Sequence, residues 1–113
     1  MCLALLRLAA ACLLSLSPLA AELAAAGESP AGQALFRRHC GICHLPGGTG
    51  TFMLGRRLGE QNALLETRRD LAGEYVRTAV RNGIQSMPRF SRVELPDADL
   101  ALIVQYLAGA PPH

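Results

Sequence analysis

The sequence contains no lysine, and its net charge is small. All eleven cationic side chains other than histidine are arginine, and they face nine acidic residues, which leaves a formal net charge of +2. Proteins that bind nucleic acid usually carry a basic patch or stripe with a larger excess of positive charge. The charge balance therefore argues against nucleic acid as a partner.

Cysteine is scarce in the part of the chain that is expected to fold. Cys2 and Cys12 lie in an N-terminal apolar stretch, so only Cys40 and Cys43 follow it. Two cysteines cannot build the multi-disulfide framework that stabilises many small exported domains. Because a core built from roughly 90 residues is marginal without such a staple, we expect a large apolar cofactor to fill it.

Residues 1–26 have the layout of a secretory signal peptide. Arg7 is the only cation before the apolar run 8–16, and small residues at A-x-A spacing end at Ala26. The run is short for a membrane span. We expect cleavage after Ala26, export to the periplasm and no stable span in the mature chain. A lipid attachment at Cys12 stays open as an alternative.

Residues 27–113 predict a single all-α domain, because they show no alternating strand pattern and no repeat. Ser29 and Pro30 suit the N-cap and first position of a helix over residues 31–40. Gly32 weakens this helix, which indicates a close approach by another helix.

Two further helices are predicted in the second half of the chain. Asp70 suits the N-cap of one that ends at Gly83, and Asp97 lies at the start of another that ends at Gly109. Each has an apolar stripe at helical spacing, formed by Leu71, Tyr75, Val76, Ala79 and Val80 in the first and by Leu100, Ile103, Val104 and Leu107 in the second.

The segment between the first and second helices is harder to interpret. Residues 45–50 are rich in glycine and predict a loop. Residues 51–69 lack a continuous period, and we predict a loop with a short helical piece over residues 61–66.

Cys40, Cys43 and His44 form a C-x-x-C-H motif, which is the signature of covalent haem attachment. Two cysteines three residues apart lie on the same side of a helical turn, where their thiols can reach two vinyl groups of one porphyrin. His44 then follows as the proximal iron ligand. A thioredoxin-like dithiol would need a βαβ setting, and a zinc site would need a second pair of ligands. His39 and His113 have no ligand spacing.

An iron that only transfers electrons needs a sixth ligand, and two methionines are candidates. Met87 stands in a loop before Pro88, which restricts its backbone and stiffens the loop. Met53 lies between apolar neighbours and suits a packing role. We therefore expect Met87 to be the distal ligand, although packing at the haem edge is the alternative for it.

Over residues 31–108 the chain resembles class I cytochromes c, the small proteins with one haem. Besides the attachment motif, Asn82-Gly83 and Met87-Pro88 resemble the distal methionine loop of the family. Gly32 and Phe36 resemble the contact that the family makes between its first and last helices; here the opposing residues are Ile103, Tyr106 and Leu107. The distal loop also loosely resembles that of cytochrome subunits that serve periplasmic flavoprotein hydroxylases of alkylphenols.

The resemblance implies a cytochrome c fold with three to five short helices around one covalent haem c. It implies an electron carrier that takes electrons from a periplasmic dehydrogenase and passes them to an oxidase or another cytochrome of the respiratory chain. Two alternatives stay open. One is a haem enzyme or gas sensor with an open distal site, and the other is a subunit permanently docked on a dehydrogenase.

The chain departs from the family at one point. The family often has a proline about ten residues after the attachment histidine, and its carbonyl fixes the imidazole, but residues 49–54 contain none. We expect a carbonyl within residues 50–52 to orient His44 instead. Arg56, Arg57 and Arg89 are expected to ring the haem edge, pair with its propionates or remain solvated.

Overall fold

The computed structural model describes residues 29–109, so the predicted signal peptide, Cys12 and His113 lie outside the described residues. Within this range the chain forms five α-helices and two single 3₁₀ turns. The helices are α1 (Pro30–His39), α2 (Gly41–His44), α3 (Thr49–Leu58), α4 (Gly73–Asn82) and α5 (Asp97–Ala108), and the 3₁₀ turns are Glu60–Asn62 and Leu65–Thr67. Since residues 29–109 contain no strand, the all-α prediction is confirmed.

The start of α1 follows from its first residues. The Ser29 hydroxyl accepts a hydrogen bond from the backbone N–H of Gly32 at 3.1 Å, and Pro30 occupies the first turn, where its missing N–H costs nothing. Three basic residues in the last turn suit the helix dipole. The predicted cap is confirmed.

The contact between α1 and α5 depends on Gly32. A Cβ atom at this position would overlap the carbonyl oxygen of Leu102 and lie 2.8 Å from Cβ of Tyr106. The absence of a side chain lets Phe36, one turn later, lie fully buried with its ring centroid 6.0 Å from that of Tyr106. The predicted close approach of the two helices is confirmed.

The core lies between α1, α4, α5 and the loop that precedes α5. Its buried members are Phe36, Leu71, Val80, Leu95, Leu100, Ile103, Val104 and Leu107. The whole predicted stripe of α5 is included, and that helix begins at Asp97 and has Gly109 as its C-cap, as predicted. No helix within residues 29–109 is both long enough and apolar enough to cross a bilayer.

The prediction for residues 51–69 was wrong, because α3 occupies Thr49–Leu58. Gly50 and Gly55 lower the helix propensity of this segment, and Phe52 and Met53 are exposed, so no regular apolar stripe marks the helix. The Cβ position of Gly55 would lie 2.8 Å from the Glu60 carboxylate, so the glycine allows the following 3₁₀ turn to fold back closely.

The predicted cap of α4 was also wrong. The helix begins at Gly73 after Ala72, and no side chain caps it. The carboxylate of Asp70 instead accepts two hydrogen bonds from the guanidinium of Arg68, at 2.8 and 2.6 Å. A bidentate arginine competes well for a carboxylate, and this local pair displaces the helix start. The predicted end at Gly83 is confirmed.

Candidate haem site

The attachment motif lies at a break between two helices. Cys40 ends α1 and precedes α2, and its carbonyl accepts hydrogen bonds from the N–H groups of Cys43 at 3.1 Å and His44 at 3.0 Å. This tight turn holds both sulfur atoms and the imidazole on one short piece of rigid backbone. Both cysteines are unpaired and half-buried.

Two apolar cavities flank this turn, with volumes of about 280 and 250 Å³. Cys40, His44 and Met87 line both cavities. Cys43 lines the second cavity as well, so all four predicted site residues line this cavity. The structure therefore brings together residues that are separated by more than forty positions in the sequence.

The far wall of the first cavity is formed by α4 and the core. All five residues of the predicted α4 stripe line it, and so do Phe36, Ile103 and Leu107 from the contact between α1 and α5. The stripe of α4 therefore faces the cavity as well as the packed core.

His44 is held by packing rather than by a hydrogen bond. Its Nδ1 atom is buried and has no hydrogen-bond partner within residues 29–109. A Cβ atom at Gly50 would lie 2.9 Å from Cε1 and 3.1 Å from Nδ1 of the imidazole. The first turn of α3 thus lies directly against the ring, and Gly50 is a site residue that sequence reasoning missed.

The expectation that a carbonyl of residues 50–52 orients His44 was wrong. These residues belong to α3, where carbonyls point along the helix axis toward N–H groups four residues later. Burial lowers the pKa of His44. The imidazole is therefore neutral near pH 7, which is the form that coordinates a metal.

The environment of Cys40 argues against a redox dithiol. Burial, with a smaller contribution from neighbouring Cys43, raises the pKa of the Cys40 thiol to about 11, whereas reactive dithiols have lowered pKa values. A zinc site is not supported either, because residues 29–109 contain no group of three or more metal-binding His, Cys, Asp or Glu side chains.

Met87 lies in a closed turn just after α4. Its N–H donates to the Ile84 carbonyl at 2.9 Å, and the Ile84 N–H donates to the Met87 carbonyl at 3.1 Å. The turn needs left-handed backbone at Gly83, with φ of 73°, and at Gln85, with φ of 52°. Met53, on α3, lines the second cavity but not the first.

The arginines differ in their positions. Arg57 lines the first cavity together with Arg68, which sequence reasoning missed. Arg56 lies over the ring of Phe52, 5.8 Å from its centroid, and Arg89 is exposed. The guanidinium of Arg68 is already paired with Asp70, so Arg57 is the arginine on this cavity that suits a carboxylate of a porphyrin.

The residues present fit a haem. The cavities are lined mainly by apolar side chains, as a flat porphyrin requires, and both are also lined by the Cys40 thiol, the neutral His44 imidazole and the Met87 thioether, with the Cys43 thiol on the second. The buried Nδ1 of His44 without a partner shows that the protein alone does not satisfy this side chain.

Comparison with known proteins also indicates a haem-binding protein. A sequence model of the family described as cytochrome c oxidase, cbb3-type, subunit III, matches residues 27–107. A chain in the crystal structure of p-cresol methylhydroxylase with substrate bound is 31% identical and has a TM-score of 0.50; the match covers 72% of this chain and 93% of that one. A second structure of p-cresol methylhydroxylase, at 2.5 Å resolution, gives the same identity and TM-score over 71% and 93% of the two chains.

No curated protein matches the chain significantly. Because p-cresol is an alkylphenol, the similarity that the distal loop indicated is confirmed. The chain is an electron carrier with covalently bound haem c rather than an enzyme, and it works with a redox partner. With the family match spanning most of its length, the chain belongs to the cbb3-type cytochrome c family of c-type cytochromes.

Proposed function

We propose that this chain is a periplasmic cytochrome that takes electrons from a flavoprotein dehydrogenase and passes them to the respiratory chain. Cys40 and Cys43 hold the haem, and His44 and Met87 are its two axial ligands. The observation that carries this proposal is that all four side chains line one cavity.

The roles follow from the chemistry of the four side chains. Cys40 and Cys43 would hold the haem through thioether bonds to its two vinyl groups, an addition that consumes no oxidant. His44 and Met87 would bind its iron and leave no position for a substrate. Bound in this way, the haem supplies one-electron transfer between ferrous and ferric iron.

The apolar lining has its own part in this function. Leu54, Leu58 and Val76 line the first cavity, where they exclude water from the site. A thioether ligand in a dry pocket favours the ferrous state and raises the reduction potential. The surrounding residues therefore adapt the site to accept electrons readily.

The choice of a flavoprotein donor rests on the two similar structures, which are of p-cresol methylhydroxylase. It agrees with the surface beside the attachment motif. Ile42 and Met53 are exposed apolar side chains that line the second cavity. Exposed apolar side chains next to a redox site suit a protein partner that must approach closely.

The ligand assignment is tested by Met87→Ala with Met53→Ala as its matched control. Both methionines line the second cavity, so Met53→Ala controls for the loss of a methionine side chain from this cavity. We expect Met87→Ala to abolish the weak far-red band of the ferric protein, lower the potential and let carbon monoxide bind the ferrous form. Met53→Ala should retain the band and the potential.

The opposite pattern would assign the iron to Met53 and refute this ligation. Rapid carbon monoxide binding by the unmodified ferrous protein would favour a gas sensor or haem enzyme with an open distal site.

A permanently docked subunit is the second candidate, and the similarity to chains of p-cresol methylhydroxylase favours it. The protein is purified under native conditions from the periplasm of the cells that produce it, and its sedimentation coefficient is compared with that of the isolated chain. Co-sedimentation with a protein that absorbs at flavin wavelengths, in a fixed ratio, supports docking. Sedimentation as a free small protein supports a diffusing carrier.

A further inference from the structure

Arg81 is a half-buried residue that contacts the loop carrying Met87. It lies in the last turn of α4, and its side chain is only 17% exposed. One terminal nitrogen donates to the carbonyls of Phe90 at 3.2 Å and Ser91 at 3.3 Å. The other donates to the carbonyl of Leu95 at 2.9 Å and to the carboxylate of Asp97 at 2.6 Å.

Three of these four acceptors, the carbonyls, belong to the loop that follows Met87, and the fourth, Asp97, is the first residue of α5. Residues 83–96 connect α4 to α5 without a helix of their own, and such a loop is ordinarily more mobile than the helices it joins. The turn that presents Met87 is closed by hydrogen bonds within the loop. Those bonds fix the shape of the turn, but they do not fix its distance from the haem site.

Besides the burial of Leu95 in the core, two sets of hydrogen bonds attach the segment after the turn to the body of the domain. The first is the hydrogen bond from the Phe90 N–H to the Val80 carbonyl, at 2.8 Å. The second is the set of bonds that Arg81 makes to three loop carbonyls. A guanidinium is suited to this task, because it presents five donors in a rigid plane, whereas an ammonium is a point charge.

The arrangement has an unusual cost. The Nε atom of Arg81 is buried and has no hydrogen-bond partner within residues 29–109, although buried polar groups are generally paired. The side chain therefore leaves one donor unsatisfied while its terminal nitrogens reach the loop. The unpaired Nε indicates that the contacts of the terminal nitrogens with the loop determine the position of this side chain.

We infer that Arg81 is a positioning residue for the distal ligand: its guanidinium fixes the loop after Met87 against α4 and so keeps the thioether at the iron. The inference rests on the proposed function, in which Met87 is that ligand. Arg81 lines neither cavity, so it acts only through the loop.

The chain offers a matched control in Arg92. Its guanidinium also pairs with Asp97, at 2.8 Å, but the side chain is 75% exposed and makes no hydrogen bond to a loop carbonyl within the described residues. Arg92→Gln therefore removes an ion pair to the same carboxylate and one positive charge, and it leaves the loop attached. Arg81→Gln removes both the pair and the attachment.

The test compares the purified holoproteins by three measurements. The far-red band reports the methionine–iron bond, far-ultraviolet circular dichroism reports helix content, and carbon monoxide titration of the ferrous form reports the population with the methionine released. Carbon monoxide affinity scales with that population. Because a hydrogen bond to a charged group is worth a factor of ten or more, Arg81→Gln should raise this affinity about tenfold or more.

On heating, Arg81→Gln should lose the far-red band well before it loses helix content. Arg92→Gln should match the unmodified protein in all three measurements. If Arg81→Gln does not accumulate as holoprotein, Arg81→Lys is used in its place. The lysine keeps the charge but cannot reach all the carbonyls, so the same early loss of the band is expected.

Two results would overturn the inference. One is an Arg81 variant that loses the band and the helix content together, at unchanged carbon monoxide affinity, because this is what a purely structural role predicts. The other is an equal effect of Arg92→Gln. The Met87→Ala variant keeps the two proposals apart: if it retains the band, the ligand assignment has failed, and if it alone loses the band, only the role of Arg81 has failed.

Discussion

The two sides of this small domain are closed in different ways. Where α1 meets α5, protein packs on protein: Phe36, Ile103 and Leu107 are buried, and Gly32 allows the backbones to touch. On the cavity side, apolar side chains remain uncovered by protein. Leu58 and Tyr75 line the first cavity, yet they are 41% and 54% exposed.

The difference shows how a short chain obtains a full core. The α1–α5 contact is a complete interface that needs only the chain, whereas under the proposed function the cavity wall is half of an interface that a haem would complete. Phe36 and Ile103 belong to both, since they line the cavity as well as the helix contact. A haem bound there would therefore pack directly on the part of the core that the protein completes itself.

Of the changes that test this comparison, removal of the haem is expected to destabilise the fold most. The double variant Cys40→Ala/Cys43→Ala cannot retain the cofactor covalently, so the cavity wall stays exposed. A group that binds only the folded state adds stability by its binding free energy, and a domain of this size has only about 5 kcal/mol to lose. We expect most of the helix content in far-ultraviolet circular dichroism to disappear. A variant that unfolds cooperatively near the holoprotein midpoint would contradict this.

The protein-on-protein side is tested by Gly32→Ala. Alanine gains about 1 kcal/mol of helix propensity, but its methyl group would overlap the carbonyl of Leu102. Overpacking of this kind costs about 1–3 kcal/mol or more, so a net loss is expected in denaturant unfolding. The far-red band should stay unchanged in the folded protein. Ala34→Ser, at an exposed position of the same helix, is the control and should stay within about 0.5 kcal/mol.

The cavity wall is tested by Leu58→Ala in the holoprotein. If the haem covers this side chain, its loss removes apolar burial worth about 1–2 kcal/mol. The control is Val93→Ala, because Val93 is 93% exposed and lines neither cavity, and it should change the unfolding free energy by less than about 0.5 kcal/mol. Equal effects of the two variants would show that the haem does not cover Leu58.

The smallest expected effect concerns the stability of the protein in acid, to which Asp97, the first residue of α5, contributes. Hydrogen bonds from Arg81, and then from Arg92, lower the pKa of Asp97. A carboxyl whose pKa is lower in the folded state stabilises the protein above its ordinary pKa, near 4, and this contribution is lost as the pH falls through the lower folded value. Unfolding midpoints measured from pH 5 to pH 2 should therefore fall less steeply in Asp97→Asn than in the unmodified protein.

Asp99→Asn is the control for this series. Asp99 stands in the same first turn of α5 and makes no ion pair within residues 29–109. Its variant removes the same charge without removing an ion pair, and a slope as shallow as that of Asp97→Asn would mean that the effect is one of net charge.

The sequence was sufficient where one local signal determines one structural feature. Ser29 and Pro30 predicted the start of α1, the stripe of Leu100 and its neighbours predicted α5, and Gly32 predicted a close helix contact. Each of these features depends on neighbouring residues or on one helical period. The motif at Cys40, Cys43 and His44 belongs to the same class, because five consecutive residues carry it.

The sequence was insufficient where distant residues compete. The helix α3 was missed because its glycines serve contacts with His44 and Glu60 rather than helix propensity. The cap predicted at Asp70 was wrong because its pairing with Arg68 depends on side-chain geometry. Arg81 lies in the last turn of α4, where a cation suits the helix dipole, and only the folded loop reveals the carbonyls that it binds.

The central claim is that Cys40 and Cys43 hold the haem, and trypsin gives the most direct test. Since the chain has no lysine, cleavage after Arg38 and Arg56 releases one peptide, residues 39–56, which contains both cysteines and His44. After denaturation and alkylation, this peptide should absorb at the haem wavelengths and be heavier by the mass of one haem, with no alkylated cysteine. A colourless peptide with two alkylated thiols would contradict the account.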